Sequence, residues 1–119
     1  MKATELRIGN WVKWNYEERS DGNAYPVEFG YELDDIKNNP NIVKPIPLTE
    51  EWLKRFGFES DSYQDMYVLG WLKINCDKTK GKPELWIENI TGKVVYIEHV
   101  HQLQNLYFAL TGQELELKL

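Results

Sequence analysis

Two histidines lie one residue apart, His99 and His101, with Glu98 beside them. On an extended chain a His-x-His pair sets both rings on one face, which suits zinc or another divalent ion. The remaining ligands would have to come from elsewhere, Cys76 or a carboxylate, because the chain holds 2 histidines and 1 cysteine. A simpler reading is preferred. The segment turns from strand to helix there, and histidines at a helix entry bond backbone or neighbouring carboxylates. No metal or other cofactor is therefore expected, and His99 and His101 are kept as reserve metal candidates. Cys76 with one of the histidines would make a nucleophile and its base. It ends an apolar run with no motif around it, so it reads as a buried free thiol.

Binding chemistry has more to work with. From Glu17 to Lys37 there are seven acids (Glu17, Glu18, Asp21, Glu28, Glu32, Asp34, Asp35) against Arg19 and Lys37. That stretch accounts for the whole formal net charge of −5. An acidic face there fits a basic partner or a DNA-mimicking surface; its ordinary reading is a solvated face. Trp11 beside Lys13 could stack on a base or sugar, with Lys73, Lys78, Lys80 and Lys82 as a basic edge for phosphate. Five tryptophans in a small sheet protein more often fill a core or an interface, and an acidic chain argues against a general nucleic-acid binder. The candidate partner-binding residues are Trp11, Lys13, Glu28, Glu32, Asp34 and Asp35. No P-loop, dinucleotide fingerprint, nucleophile elbow, zinc-ribbon spacing or helix-turn-helix signature is present, and no catalytic residue is assigned.

Those residues must be carried by definite elements. Residues 7–14 read as a first strand, with Ile8, Val12 and Trp14 on one face and Trp11 and Lys13 on the other. The tip Ser20-Asp21-Gly22-Asn23 leads to a second strand, where Val27, Phe29, Tyr31 and Leu33 alternate with polar residues or glycine. The two would form a long-looped hairpin. Asp34 to Asn41 reads as a break. Leu48 to Phe58 is a capped short helix: Thr49 as N-cap, Glu50 and Glu51 in the first turn, Lys54 and Arg55 in the last. Leu48 with Leu53 forms a hydrophobic staple, and Gly57 closes the helix with Phe58 packing back on Leu53. Glu59 to Gln64 reads as a loop. Met66 to Cys76 is one strand bulged at Gly70 or two short strands meeting there. Asp77 to Pro83 is a turn, and Leu85–Ile90 and Lys93–Ile97 make a hairpin about Thr91-Gly92. A last helix runs from about His101 to Gly112, its apolar stripe being Val100, Leu103, Leu106/Tyr107 and Leu110. Gln102, Gln104 and Asn105 cover the rest, Phe108 widens the apolar face, and no cap residue precedes it. Leu115, Leu117 and Leu119 suggest a closing strand or a tail that pairs with a partner.

Three blocks stand out: Glu5-Leu-Arg-Ile-Gly-Asn-Trp-Val12, Lys44-Pro-Ile-Pro-Leu-Thr-Glu-Glu-Trp-Leu53 and Val100-His-Gln-Leu-Gln-Asn-Leu-Tyr-Phe-Ala-Leu-Thr-Gly112. In these the chain resembles a family of short uncharacterised proteins encoded by gut anaerobes and by their phages and mobile elements. The resemblance implies a cytoplasmic bacterial or phage protein and carries no activity. Separately, the Ile-Gly-Asn-Trp-Val order is similar to the opening strand of small SH3-like barrels, an analogy of fold alone.

The expectation is α+β in a single domain, with a strand-rich lobe over 1–47 and a helix–sheet–helix lobe over 48–119. It has a mostly antiparallel twisted sheet of six to seven strands and two helices, with an SH3-like N-terminal lobe. The expected role is a non-enzymatic protein-interaction module of a phage or mobile element, self-associating or bound to a protein partner. The alternatives are a small nucleic-acid-binding module using the sheet surface and a metal-dependent enzyme around His99 and His101. The first residues carry no apolar signal region and no stretch reaches the ~18 apolar residues of a membrane span, so no membrane association is expected. One cysteine excludes an internal disulfide and fits a reducing cytoplasm.

Overall fold

A computed structural model describes residues 5–14, 24–61, 66–70, 72–77, 84–88 and 94–117. In chain order these form β1 (Trp11–Trp14), β2 (Ala24–Pro26), α1 (Gly30–Asn38), a 3-10 turn (Pro40–Ile42), β3 (Val43–Lys44), α2 (Glu50–Arg55), β4 (Glu59–Asp61), β5 (Met66–Leu69), β6 (Leu72–Asp77), β7 (Glu84–Glu88), β8 (Val94–Tyr96) and α3 (Val100–Thr111). The class is mixed α+β, with two antiparallel sheets ordered β2-β1-β3 and β4-β5-β6-β7-β8. The expected single sheet of six to seven strands is thus two sheets, and a third α-helix is present. The chain divides into two compact units, Met1–Pro47 with His99–Leu115 and Leu48–Glu98 with Glu116–Leu119. The expected division after residue 47 falls on a unit boundary, but the last helix groups with the N-terminal residues. No helix among the described residues is long and apolar enough to cross a membrane.

In the first unit β1 alternates as its sequence demands. Val12 and Trp14 are buried, Lys13 is exposed and Trp11 is half-buried. They pack with Leu6, Val27, Ile36 and Val43, and with the partly buried Tyr25, Leu33 and Ile42. Ile8 was expected on the buried face and is 51% exposed instead. It sits in a turn before the strand, where Asn10 N–H donates to the Arg7 carbonyl and Gly9 N–H to that of Val27. Gly9 adopts φ 97°, a left-handed geometry that side-chain-bearing residues rarely take.

The second strand is much shorter than its alternation suggests. Only Ala24–Pro26 pair with β1, in the register Trp11↔Pro26, Val12↔Tyr25, Lys13↔Ala24. The chain then turns at Phe29 into α1. The Glu32 carboxylate causes this: its Oε1 accepts the N–H groups of Glu28 and Phe29, each at 3.0 Å, satisfying amides that open the helix. Val27 and Ile36 are fully buried, while Phe29 and Tyr31, read as a strand's inner face, stand in solvent. A two-residue period over 27–33 loses to a helix that buries Ile36 and, with it, Glu32.

In the second unit α2 forms as expected. Thr49 Oγ1 accepts from Trp52 N–H at 3.5 Å, and the staple residues Leu48 and Leu53 are both buried. Gly57 N–H bonds the Lys54 carbonyl and Phe58 N–H that of Leu53, the paired bonds of a Schellman motif, with Gly57 at φ 94°. A helix of about two turns cannot stand alone; burial of Leu53 and Phe56 contributes roughly 1.5–3 kcal/mol each. Residues 59–61, read as loop, form β4 against β5 in the register Glu59↔Val68, Ser60↔Tyr67, Asp61↔Met66. Its polar composition is that of an edge strand rather than a loop. Met66–Cys76 resolves into two strands paired through Leu69↔Leu72 about Gly70, not one bulged strand. The β7/β8 hairpin is as expected, with Trp86↔Tyr96 opposed. Residues 114–117 form no strand, although Leu115 is buried. The expected turns at 20–23, 78–83 and 91–92 lie outside the described residues.

Candidate functional site

The residues with the most distinctive sequence pattern meet in the first unit, along one face of α3. Gln104 was read as solvent-facing and is 1% exposed. Its Oε1 accepts Trp11 N–H at 2.8 Å and its Nε2 donates to the Gly9 carbonyl at 2.9 Å, so one carboxamide serves the backbone where β1 begins. Asn105 Oδ1 accepts from Arg7 Nε at 2.8 Å and Asn10 Nδ2 at 2.9 Å, and its Nδ2 donates to the Glu5 carbonyl at 2.8 Å. Asn10, fully buried, also accepts Arg7 N–H on Oδ1 at 2.6 Å. Arg7 then reaches Glu114 at 2.5 Å and lies 4.3 Å over the Phe108 ring. These bonds form one seam between α3 and residues 5–11. The side chains of Gln104 and Asn105 are the hydrogen-bond partners of residues 5–11. It is a structural device, because every polar atom named is spent on another.

The missing cap of α3 is supplied differently from the usual pattern. His99 N–H donates to Gln102 Oε1 at 3.0 Å, and Val100 N–H donates to the Ile46 carbonyl. Gly112 closes the helix at φ 72°. Leu103 is buried as expected, whereas Leu110 and Phe108 are exposed and Leu106 and Tyr107 only half-buried.

His99 and His101 do come together. Their rings stack at 5.7 Å and 10°. His101 is 2% exposed and, among the described residues, its Nδ1 has no hydrogen-bond partner. Burial pushes its pKa below the ordinary histidine value, the neighbouring His99 adds to that, and Glu5 opposes it. Among the described residues no group of three or more histidine, cysteine or acidic side chains could hold a metal ion. In the second unit the buried Cys76 thiol lies 3.9 Å from Glu50 Oε1. The same carboxylate bonds the Tyr67 hydroxyl, whose pKa is raised by burial and then by Glu50. A carboxylate beside a thiol opposes the thiolate that nucleophilic chemistry requires, so this trio is a polar tie inside the core.

The expected partner-binding residues separate into two kinds. Lys13, Glu28, Asp34 and Asp35 are exposed and Trp11 is half-buried. Glu32 is not on the surface: it is 2% exposed and its carboxylate holds the start of α1. Two features escaped the sequence reading. Phe29 and Tyr31 stack on each other in solvent at 5.4 Å and 10°, and β8 exposes all three of its residues, Val94, Val95 and Tyr96. Compared with known proteins, the chain matches no family model, no curated protein and no solved structure.

Proposed function

We propose that the chain is a non-enzymatic protein-interaction module of a phage or mobile element, and that it self-associates. The observation that carries the self-association is β8, which ends the five-stranded sheet with three consecutive apolar residues exposed. Ile97 N–H bonds the Leu85 carbonyl, so Val95 is the β8 residue whose backbone faces β7. The N–H and C=O groups of Val94 and Tyr96 then face outward, and among the described residues they have no partner. An apolar edge of this kind is a template for another strand. A second copy fits it without further sequence matching. Antiparallel pairing about Val95 sets Val94 against Tyr96 of the other copy, twice, by the same two-fold axis.

Light scattering of the full chain tests this. A concentration-dependent mass above one chain is expected. Val94→Pro should abolish it, because proline at the first residue of an edge strand removes an outward N–H without touching the β7 ladder. The nucleic-acid alternative has less support: Trp11 is half-buried and the chain carries a formal net charge of −5. A strict monomer that bound DNA or RNA in a salt-sensitive way would reverse the choice. An SH3-like first unit belongs to that alternative. The β2-β1-β3 sheet supports it, while α1 occupies chain that such a barrel would spend on strand.

A further inference from the structure

From the exposed face of α1 we infer that the first unit docks a basic, arginine- or lysine-bearing protein segment. This deepens the reading of the chain as an interaction module. Helical spacing puts Tyr31, Asp34 and Asp35 on one face, opposite the stripe of Glu32, Leu33 and Ile36 that turns inward. Phe29, at the N-cap, stacks on Tyr31 and extends the face by a second ring, with the exposed Glu28 beside it. Phe29 is 51% and Tyr31 63% exposed, so two large rings are held in water against each other. Among the described residues none of Glu28, Asp34 and Asp35 is in an ion pair. An aromatic platform rimmed by unpaired carboxylates within one helical turn is complementary to a guanidinium or ammonium group. The ring faces attract the cation and the carboxylates accept its N–H groups. Charge complementarity thus selects the occupant. From Glu28 to Lys37 the exposed charges beside the rings are the acidic Glu28, Asp34 and Asp35 against the basic Lys37, a net of −2, and a partner without basic side chains would leave those carboxylates desolvated and unpaired.

Titration of the full chain with a short Arg–Gly repeat peptide, followed by NMR, tests this, with a Glu–Gly peptide as control. Shifts are expected on residues 28–38, for the basic peptide only. Tyr31→Ala should weaken binding about twofold to fivefold, the reach of one exposed cation–π contact, while Tyr31→Phe, which keeps the ring, should not. The pair Asp34→Asn with Asp35→Asn should weaken it and flatten its salt dependence. All three positions are exposed, so folding should survive and the amide spectrum checks it. Equal binding of both peptides, shifts elsewhere, or no effect of Tyr31→Ala would overturn the assignment. So would loss of self-association in Tyr31→Ala, which would give this face to a second copy. Failure of the peptide alone leaves the β8 contact standing, since light scattering reads that separately.

Discussion

Replacing Gln104 by methionine removes its two hydrogen-bonding atoms and nearly keeps its volume. In the folded chain Oε1 holds Trp11 N–H at 2.8 Å and Nε2 holds the Gly9 carbonyl at 2.9 Å. A buried polar group deprived of its partner costs roughly 1–3 kcal/mol, so two give about 2–6. Trp11 is half-buried and water can recover part of its share, which leaves an expectation of about 2–4 kcal/mol. With a urea slope of about 2 kcal/mol/M, the middle of the usual range for small proteins, the midpoint should fall by roughly 1–2 M. Gln113→Met, at an exposed position beyond α3, serves as the control and should stay within about 0.5 kcal/mol. Gln104→Glu gives a sharper form of the test. It keeps an acceptor for Trp11 N–H, loses the donor to Gly9 and buries a charge, so it should be worse than methionine at neutral pH and recover as the carboxyl protonates. If Gln104→Met unfolds at the same urea concentration as Gln113→Met, the seam contributes nothing and the reasoning fails.

Burial holds the folded-state pKa of His101 below its unfolded value of about 6.5. The unfolded chain therefore binds more protons at low pH. Stability should fall as pH drops through about 6.5 and level off below the folded pKa; urea midpoints against pH for wild type and His101→Leu would show the slope vanish in the variant. Because Nδ1 is buried without a partner among the described residues, His101→Leu should also be neutral or stabilising at pH 8 by up to about 1 kcal/mol, read in the same series. Thr49→Ala should cost about 1 kcal/mol through loss of the α2 cap. Gly9→Ala should cost at least as much, since φ 97° strains any side-chain-bearing residue; thermal melts compare the two.

Legibility followed the location of each element's controlling residues. For α2 they lie within the helix and its flanks: Thr49, the Leu48/Leu53 staple and Gly57 are contiguous and suffice. For α1 the start is fixed by a carboxylate one turn inside, beneath a phenylalanine that no capping preference would select. The alternation of Val27, Phe29, Tyr31 and Leu33 therefore read as a strand. Gln104 and Asn105 read as solvent-facing because the groups they satisfy, at residues 5–11, are about a hundred positions away. The acidic charge was visible as a sum. That Glu32 turns inward, while Asp34 and Asp35 share a face with Tyr31, needed the helix to be known.

The mass of the full chain by light scattering, across protein concentration and with Val94→Pro beside the wild type, tests the proposed self-association most directly. The account predicts a mass rising toward twice 14.1 kDa for the wild type and 14.1 kDa for the variant. A wild-type chain that stays at 14.1 kDa at every concentration would contradict it.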